Sequence, residues 1–489
     1  MTIRTRMAPS PTGEYHIGHI RTVLYNYAFA KKNKGNFLIR IEDTDRERFV
    51  EGATDRILNV INDYGISWDE GPRVGGPYGP YIQSERLDIY KKYALELIEK
   101  KKAYYCFCTA ERLDEMRQKQ KDAGSPTTKY DRHCLSLTES QISENLKNIL
   151  PYVIRLKVPE NEDISFHDEV LGDITINSND VDDQVLLKSD GFPTYQLAVV
   201  IDDHLMNISH VMRGVDWVSS TPKHVLLYRA FGSEMPKHVH LPNLKELGGN
   251  KKLSKRFGSV AAIEFLQEGY LTEALLNFLM FLGWNPGTDK EIYTLDEFVS
   301  DFSLERLQKT DLVSFDREKL LWMNGYYIRS YTTDILLEKI KSWHDRYMPE
   351  EELPLSSDNS YNLKVVGLLQ DRLKLLKEYK SLSEYFYLKP LVEKETLISF
   401  SQTSGCASEI LSSFLALFDS IAVQDWTTEN LDKLSHELIA TKSYKPKEAF
   451  MTLRVAITGQ TATPPVFDII SLLGKKETLD RVKDSLNSL

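Results

Sequence analysis

The sequence predicts an α/β protein. A doubly wound, Rossmann-type domain is interrupted by an inserted α+β module and followed by all-α domains. Three observations predict this. Residues 1–88 alternate short apolar strands with amphipathic helices, the rhythm of a parallel sheet. Residues 103 to about 190 change texture, with three of the four cysteines among short strand-like runs. From about residue 262 onward the periodicity is almost wholly helical, broken at Pro390 and Pro464-Pro465.

Taken in order, residues 3–8 make a first short strand, which Pro9-Ser10-Pro11-Thr12-Gly13 ends. A helix follows, with Ile20, Leu24, Tyr27 and Ala28 along one face, ending near Gly35. Phe37 to Ile41 reads as a buried strand, and Ala53 to Tyr64 as an amphipathic helix closed by Gly65. Gly71 to Pro80 is a glycine- and proline-rich loop, and a helix runs from Ser84 to about Lys102. Tyr152 to Lys157 and Asp173 to Asn177 are strand-like runs of the insert. The sheet pattern returns at Val185 to Lys188 and at Leu197 to Ile201. The expected division is 1–88 with 192–249, an insert at 89–191, and helical parts at 250–331, 332–388 and 389–489.

The 489 residues are 42% hydrophobic and 27% charged, the composition of a soluble globular protein. No apolar run follows the early arginines, and no window approaches the roughly 18 consecutive apolar residues of a membrane span. Four cysteines in such a length make no disulfide framework, so a cytoplasmic protein is expected. A net charge of −10 argues against a nucleic-acid binder, but phosphate contact needs only a local basic surface. Lys251-Lys252 with Lys255-Arg256 is one such cluster. Lys374 with Lys377, and Lys442 with Lys445 and Lys447, read by themselves as solvated faces.

His16-Ile17-Gly18-His19 stands where the first strand turns into the first helix. Such an entry aims free backbone N–H groups at an anion. Both histidines can donate to a phosphate, and Gly18 lets a flat base approach the backbone. The turn resembles the ATP-binding HIGH motif of class I aminoacyl-tRNA synthetases, which assigns His16, Gly18 and His19 to ATP. Far downstream, Lys252-Leu-Ser-Lys-Arg256 follows Gly248-Gly249-Asn250. Two lysines three apart beside an arginine suit a mobile clamp on a polyphosphate, stabilising the charge that develops on leaving pyrophosphate. This pentapeptide resembles the second class I signature, KMSKS. The resemblance adds Lys252, Ser254, Lys255 and Arg256 to the ATP site, and His16, His19, Lys252 and Lys255 are the expected catalytic residues.

The surrounding text narrows the resemblance. Arg6 to Gly13, Ile39-Arg-Ile-Glu-Asp-Thr-Asp45 and Trp68-Asp-Glu-Gly71 are similar to the glutamyl-tRNA synthetase family of bacterial type. So are Leu187 to Tyr195, Val200-Ile-Asp-Asp-His204, Arg213, His224 to Tyr228, Leu453 to Gly459 and Leu472-Leu-Gly474. The similarity implies a glutamate–tRNA ligase. L-glutamate and ATP would give glutamyl-adenylate and pyrophosphate, with Mg²⁺ on the phosphates, and glutamate would then pass to the terminal adenosine of tRNA(Glu). By position, Arg6 and Arg213 grip the two carboxylates, Glu42 faces the ammonium, Ser10 and Tyr195 add hydroxyls, and Ala8 lines the pocket. Arginine suits that task because its planar fork holds a carboxylate with two parallel bonds. Which arginine takes which carboxylate stays open. In several family members an asparagine follows the tyrosine by four residues and touches the substrate; here that position is Val199.

Cys106-Phe-Cys108 and Tyr130-Asp-Arg-His-Cys134 could supply four ligands to a structural Zn²⁺. The family's C-x-C…C-x-H pattern is incomplete, because Ser136 stands in the last place. The C-x-C…Y-x3-C spacing of glutamyl-queuosine synthetases fits, so Cys106, Cys108, Tyr130 and Cys134 are the expected set, with His133 as rival for the fourth place. The resemblance makes 1–88 with 192–249 the catalytic domain, the insert at 89–191 an acceptor-binding module, 250–331 a stem-contact domain and the last two helical parts anticodon-binding, with Arg372, on an expected helix Asn362 to Lys380, reading the last anticodon base. A monomer is expected. Whether tRNA(Gln) is also charged stays open. The rival class, a small tRNA-independent nucleotidyltransferase with an H-x-G-H turn, is disfavoured by the glutamate-pocket text and the long helical tail.

Overall fold

The computed structural model describes residues 2–125, 127–249, 251–253, 260–401 and 404–489. The chain divides into two compact units, Met1–Phe265 with Leu275–Arg317, and Leu266–Ala274 with Glu318–Leu489.

The first unit opens with β1 (Arg4–Met7), α1 (Ile17–Lys32) and β2 (Asn36–Ile39), and the two strands pair in parallel. The face predicted for α1 is buried, with Ile20, Leu24 and Ala28 fully enclosed. Lys31 and Lys32 lie in its last turn, where cations favour the helix dipole. The return to β2 is tight: a Cβ on Gly35 would lie 2.1 Å from the Ile3 carbonyl, so only glycine lets the chain pass. Next come α2 (Ala53–Asp63), α3 (Leu87–Glu99), β3 (Ala103–Cys106), α4 (Ala110–Asp122) and α5 (Glu139–Lys147). The strands β4 (Val153–Leu156), β5 (Asp163–Asp168), β6 (Gly172–Asn177) and β7 (Val185–Leu187) follow. Then α6 (Tyr195–Leu205), β8 (His210–Gly214), α7 (Thr221–Phe231), β9 (Lys237–Leu241), β10 (Asn243–Glu246) and, much later, β11 (Leu312–Phe315) complete the unit's main elements.

The central sheet is doubly wound, as predicted. β8 and β9 pair in parallel, and β1 lies beside β8, where Ser209 N–H donates to the Arg4 carbonyl at 2.9 Å. On the other side β9 pairs in parallel with β5, which forms an antiparallel hairpin with β6, in the order β6-β5-β9-β8. A hairpin from within residues 89–191 therefore extends the sheet that carries β8. β3, β4 and β7 make a separate antiparallel sheet.

Leu197 to Ile201 is not a strand, as its sequence predicts, but the middle of α6. Gln196 to Asp203 is buried all round between neighbours, so the helix shows no polar face, and a short apolar run of this kind has no distinguishing period. Conversely, the region predicted to be helical holds a strand, β11, paired in parallel with β10.

Among its described residues the second unit holds helices and no strand. Leu336, Val365, Phe414, Leu453 and Ile470 are fully buried in one shared apolar core. The helix predicted over Asn362 to Lys380 is two helices, Asn359–Leu369 and Glu378–Tyr387. Gln370 ends the first by donating to the Ile328 and Tyr331 carbonyls, and the Glu378 carboxylate starts the second by accepting from Lys374 and Leu375 N–H. Arg372 thus lies exposed in the turn between them, not on a helix face.

Candidate active site

His16 caps α1. Its Nδ1 accepts the Gly18 N–H at 3.0 Å, which leaves the ring proton on Nε2. A Cβ on Gly18 would stand 3.2 Å from that Nδ1, so glycine protects the cap as well as any approach by a ligand. Residues 260–262 clasp the same turn: Ile17 N–H donates to Val260 O and Ala262 N–H to Tyr15 O. The His16 and His19 rings are 6.0 Å apart. Burial, then the charges of Lys252 and Arg21, lowers His16 to about 4. Burial, the neighbouring His16 and the same cations lower His19 to about 4. Both are therefore neutral donors at ordinary pH.

Lys252 and Leu253 reach this turn from the other side. Leu253 N–H donates to the Leu244 carbonyl at 2.7 Å, and the Lys252 ammonium pairs with Asp216, which also accepts from Asn243. Ser254, Lys255 and Arg256 lie outside the described residues.

One cleft of about 740 Å³ joins these parts. His16, Gly18, His19 and Lys252 line one region of its wall, and Arg6, Ala8, Ser10, Glu42, Tyr195 and Arg213 are also lining residues. The second group arises at the carboxyl ends of β1, β2 and β8 and at the start of α6, where open parallel sheets present their ligands. Val199 is absent from the lining; it is 1% exposed in the core with α3 and α7.

Beneath the cleft lies a buried ionic network that sequence reasoning missed. Asp203 accepts from Arg6 Nε at 3.1 Å and from Arg40 Nη1 at 2.8 Å. Arg40 Nη2 donates to Glu42 at 2.9 Å, and Arg86 Nε donates to Asp202 at 2.8 Å. Three guanidiniums thus face three carboxylates, a balance that buried charges require. Burial raises Glu42 above its ordinary range, opposed chiefly by Arg40. For Asp203 burial also acts upward, but Arg6 and Arg40 outweigh it and hold the carboxyl low. A signal was available: Asp202-Asp203 follows an apolar run, and acids so placed need buried cations.

Arg213 is braced at each of its three nitrogens. Its Nη2 donates to Thr221 Oγ1 at 2.8 Å, its Nη1 to Tyr195 OH at 3.2 Å and its Nε to His240 Nε2 at 3.1 Å. Trp217 packs on Tyr195 with ring centroids 4.4 Å apart and remains 40% exposed at the cleft.

The cysteines assemble away from this chemistry. The Sγ atoms of Cys106, Cys108 and Cys134 lie within 4.8 Å of one another. Tyr130 OH is 3.3 Å from Cys106 Sγ and 3.2 Å from Cys108 Sγ, and it accepts from Cys134 N–H. His133, the rival, is exposed and its ring lies outside that grouping. Three soft sulfurs and one oxygen form a donor set that fits Zn²⁺.

Comparison with known proteins agrees with this geometry. Residues 2–322 match the family described as "tRNA synthetases class I (E and Q), catalytic domain", and residues 336–486 match "Anticodon binding domain". A glutamate–tRNA ligase of Clostridium kluyveri is 42% identical over 490 residues, covering 100% of this chain and 98% of the relative. One from Clostridioides difficile is 43% identical over 510 residues and covers 100% of both. Among solved structures, a glutamate–tRNA ligase from Elizabethkingia meningosepticum in complex with its amino acid superposes with a TM-score of 0.89 at 34% identity, covering 100% of both chains. This chain belongs to the glutamate–tRNA ligase family of the class I tRNA synthetases.

Proposed function

We infer that this chain joins L-glutamate to tRNA, using ATP and releasing AMP and pyrophosphate. The observation that carries the reading is that one cleft gathers the histidine turn, Lys252 and the pair Arg6 and Arg213. The α-carboxylate of glutamate attacks the α-phosphate of ATP, and pyrophosphate leaves. His16 and His19 donate neutral N–H groups to phosphate oxygens, so they stabilise added charge without exchanging protons with solvent. Lys252, with Lys255, takes the departing pyrophosphate; to do so Lys252 must exchange Asp216 for phosphate oxygens. Mg²⁺ on the phosphates, when bound, neutralises part of the same charge. No covalent enzyme intermediate is needed, so the chain contributes position and electrostatics.

Arg6 and Arg213 hold the two carboxylates of glutamate. Asp203 occupies the Nε and Nη2 edge of Arg6, which leaves Nη1 to meet a ligand in the cleft. Glu42, oriented by Arg40, faces the ammonium. A guanidinium aimed at the side-chain carboxylate disfavours glutamine, whose amide presents N–H donors to a donor. The ribose of the terminal tRNA adenosine then attacks the mixed anhydride, while the helical unit takes the anticodon. Cys106, Cys108, Cys134 and Tyr130 would hold a structural Zn²⁺, outside the cleft where the reaction runs.

The test is ATP-dependent attachment of labelled glutamate to purified tRNA(Glu), with glutamine and no-tRNA controls. Glutamylated tRNA in the complete reaction supports the reading. Equal attachment of glutamine, or nucleotide transfer independent of tRNA, overturns it.

A further inference from the structure

Arg213 and His240 stand directly opposite each other on the parallel strands β8 and β9, and β5 is the next strand beyond β9. On β5, Asp168 is fully buried. Its Oδ2 accepts from the His240 ring at Nδ1, 2.7 Å, and from the His240 backbone N–H at 3.1 Å. Its Oδ1 accepts from Val170 and Leu171 N–H at the turn of the β5–β6 hairpin. The carboxylate can only accept, so the imidazole proton sits on Nδ1 and Nε2 presents a lone pair. That lone pair receives Arg213 Nε–H at 3.1 Å.

We propose that Asp168 and His240 are positioning residues that fix the Arg213 guanidinium for the amino-acid carboxylate, through a relay crossing three neighbouring strands. The inference rests on the reading that Arg213 binds glutamate. An arginine on a flexible stem loses affinity to rotamer freedom unless one edge is anchored, and His240 anchors the Nε edge. With that edge held, Nη1 faces Tyr195 OH at the cleft and Nη2 is tied to Thr221. Burial and then the Arg213 charge, against the Asp168 bond, keep His240 below its ordinary value and so neutral, as an acceptor must be. His224 repeats the device more weakly: its Nε2 is 2.5 Å from Gln196 Oε1, and its Nδ1 faces Arg213 Nη1 at 3.4 Å.

Asp168→Asn tests tautomer control, and because its amide also withdraws the acceptor of the buried His240 backbone N–H, urea unfolding of the variant accompanies the kinetics so that only folded enzyme is compared. Asparagine keeps Oδ1 on the hairpin turn but turns N–H donors toward His240. The ring then protonates Nε2 and sets a donor against Arg213 Nε–H. The expected result is a KM for glutamate raised about tenfold to a hundredfold in ATP–pyrophosphate exchange with tRNA present, the size of an unmet buried donor. The KM for ATP stays at the wild-type value. His240→Gln places an amide oxygen, which needs no tautomer, near the position of Nε2, so the double variant D168N/H240Q recovers a glutamate KM close to that of H240Q alone.

An unchanged glutamate KM in D168N, or a double variant no better than D168N, overturns the relay. Arg213→Ala tells this failure from failure of the underlying reading: if it leaves the glutamate KM unchanged, Arg213 does not bind glutamate and both ideas fall. Nitrogen NMR of histidine in the unmodified protein gives a readout independent of the variants. A proton on Nδ1 of His240 supports the relay, and a proton on Nε2 overturns it.

Discussion

The floor of the cleft and the core of the helical unit are both fully buried, but they are built from opposite materials. Under the cleft, Arg6, Arg40 and Arg86 are balanced against Glu42, Asp202 and Asp203. In the helical unit, Leu336, Phe414, Leu453 and Ile470 exclude water, and the buried Arg481 donates to the Tyr385 and Ile457 carbonyls and to a partly exposed Glu477 rather than to a buried carboxylate. An ionic core costs desolvation and is a weak source of stability, whereas an apolar core gains from each buried methylene. What the ionic core supplies is direction: each guanidinium edge and carboxylate oxygen is aimed before a ligand arrives. The difference teaches where this molecule spends stability on geometry and where it only needs to be solid.

Asp203→Ala is the largest disturbance of that contrast. It leaves Arg6 and Arg40 without their shared carboxylate, and loss of one partner from a buried pair costs about 3–5 kcal/mol. Urea unfolding should show this loss, and the surviving folded enzyme should bind glutamate more weakly; a change below about 1 kcal/mol contradicts a tightly coupled floor. Phe414→Ala in the helical core should cost a similar or smaller amount, about 3–5 kcal/mol from transfer and cavity, but leave the KM for glutamate alone. If it raised that KM, the separation between aimed and filled cores would be wrong.

The cysteine cluster tests a third way of building an interior. Metal analysis of protein purified without added zinc should return about one equivalent, and a Tyr130→Phe variant should release it to a chelator faster. No bound metal would leave Cys106, Cys108 and Cys134 as three reduced thiols.

The two histidines give a pH test with a definite sign. Their folded values are lowered to about 4, so between pH 4 and the ordinary histidine range the unfolded chain binds protons that the folded chain does not. Stability from these groups therefore falls as pH drops from about 6.5 toward 4 and is fully present above 6.5. Adenylate formation should show no limb near pH 6.5 from His16 or His19; a limb there that vanishes in His19→Ala would contradict neutral donors.

Arg372→Ala should be the mildest change. Its side chain is exposed in a turn, so stability should move by less than about 0.5 kcal/mol while the KM for tRNA rises. An unchanged KM for tRNA would remove Arg372 from the anticodon site.

The same contrast explains what was legible in the sequence. Residues whose meaning is local could be read: the strand–turn–helix at His16, the alternation before residue 65 and the helices of the second unit all follow from short-range spacing. His16, His19, Arg6, Glu42, Tyr195 and Arg213 were named because their neighbours in the chain carry a family's text. Arg40 and Asp203 lie within that text and Asp168 and His240 outside it, but none was given a role, because their meaning lies in partners as many as 197 positions away. Leu197 to Ile201 misled for a related reason, since burial on every side erases the period that separates helix from strand. Tyr130 against His133 could not be settled by spacing; the fold brings the Tyr130 hydroxyl among the sulfurs and leaves His133 exposed.

The central claim is that one preorganised cleft holds both reactants of amino-acid activation. A crystal structure of this protein with a non-hydrolysable glutamyl-adenylate analogue tests it most directly. The account predicts carboxylate oxygens on Arg6 and Arg213, the ammonium at Glu42, the phosphoryl group at His16 and His19, and Arg213 still bonded to His240. An analogue seated elsewhere, or an Arg213 released from His240 to reach it, would contradict the account.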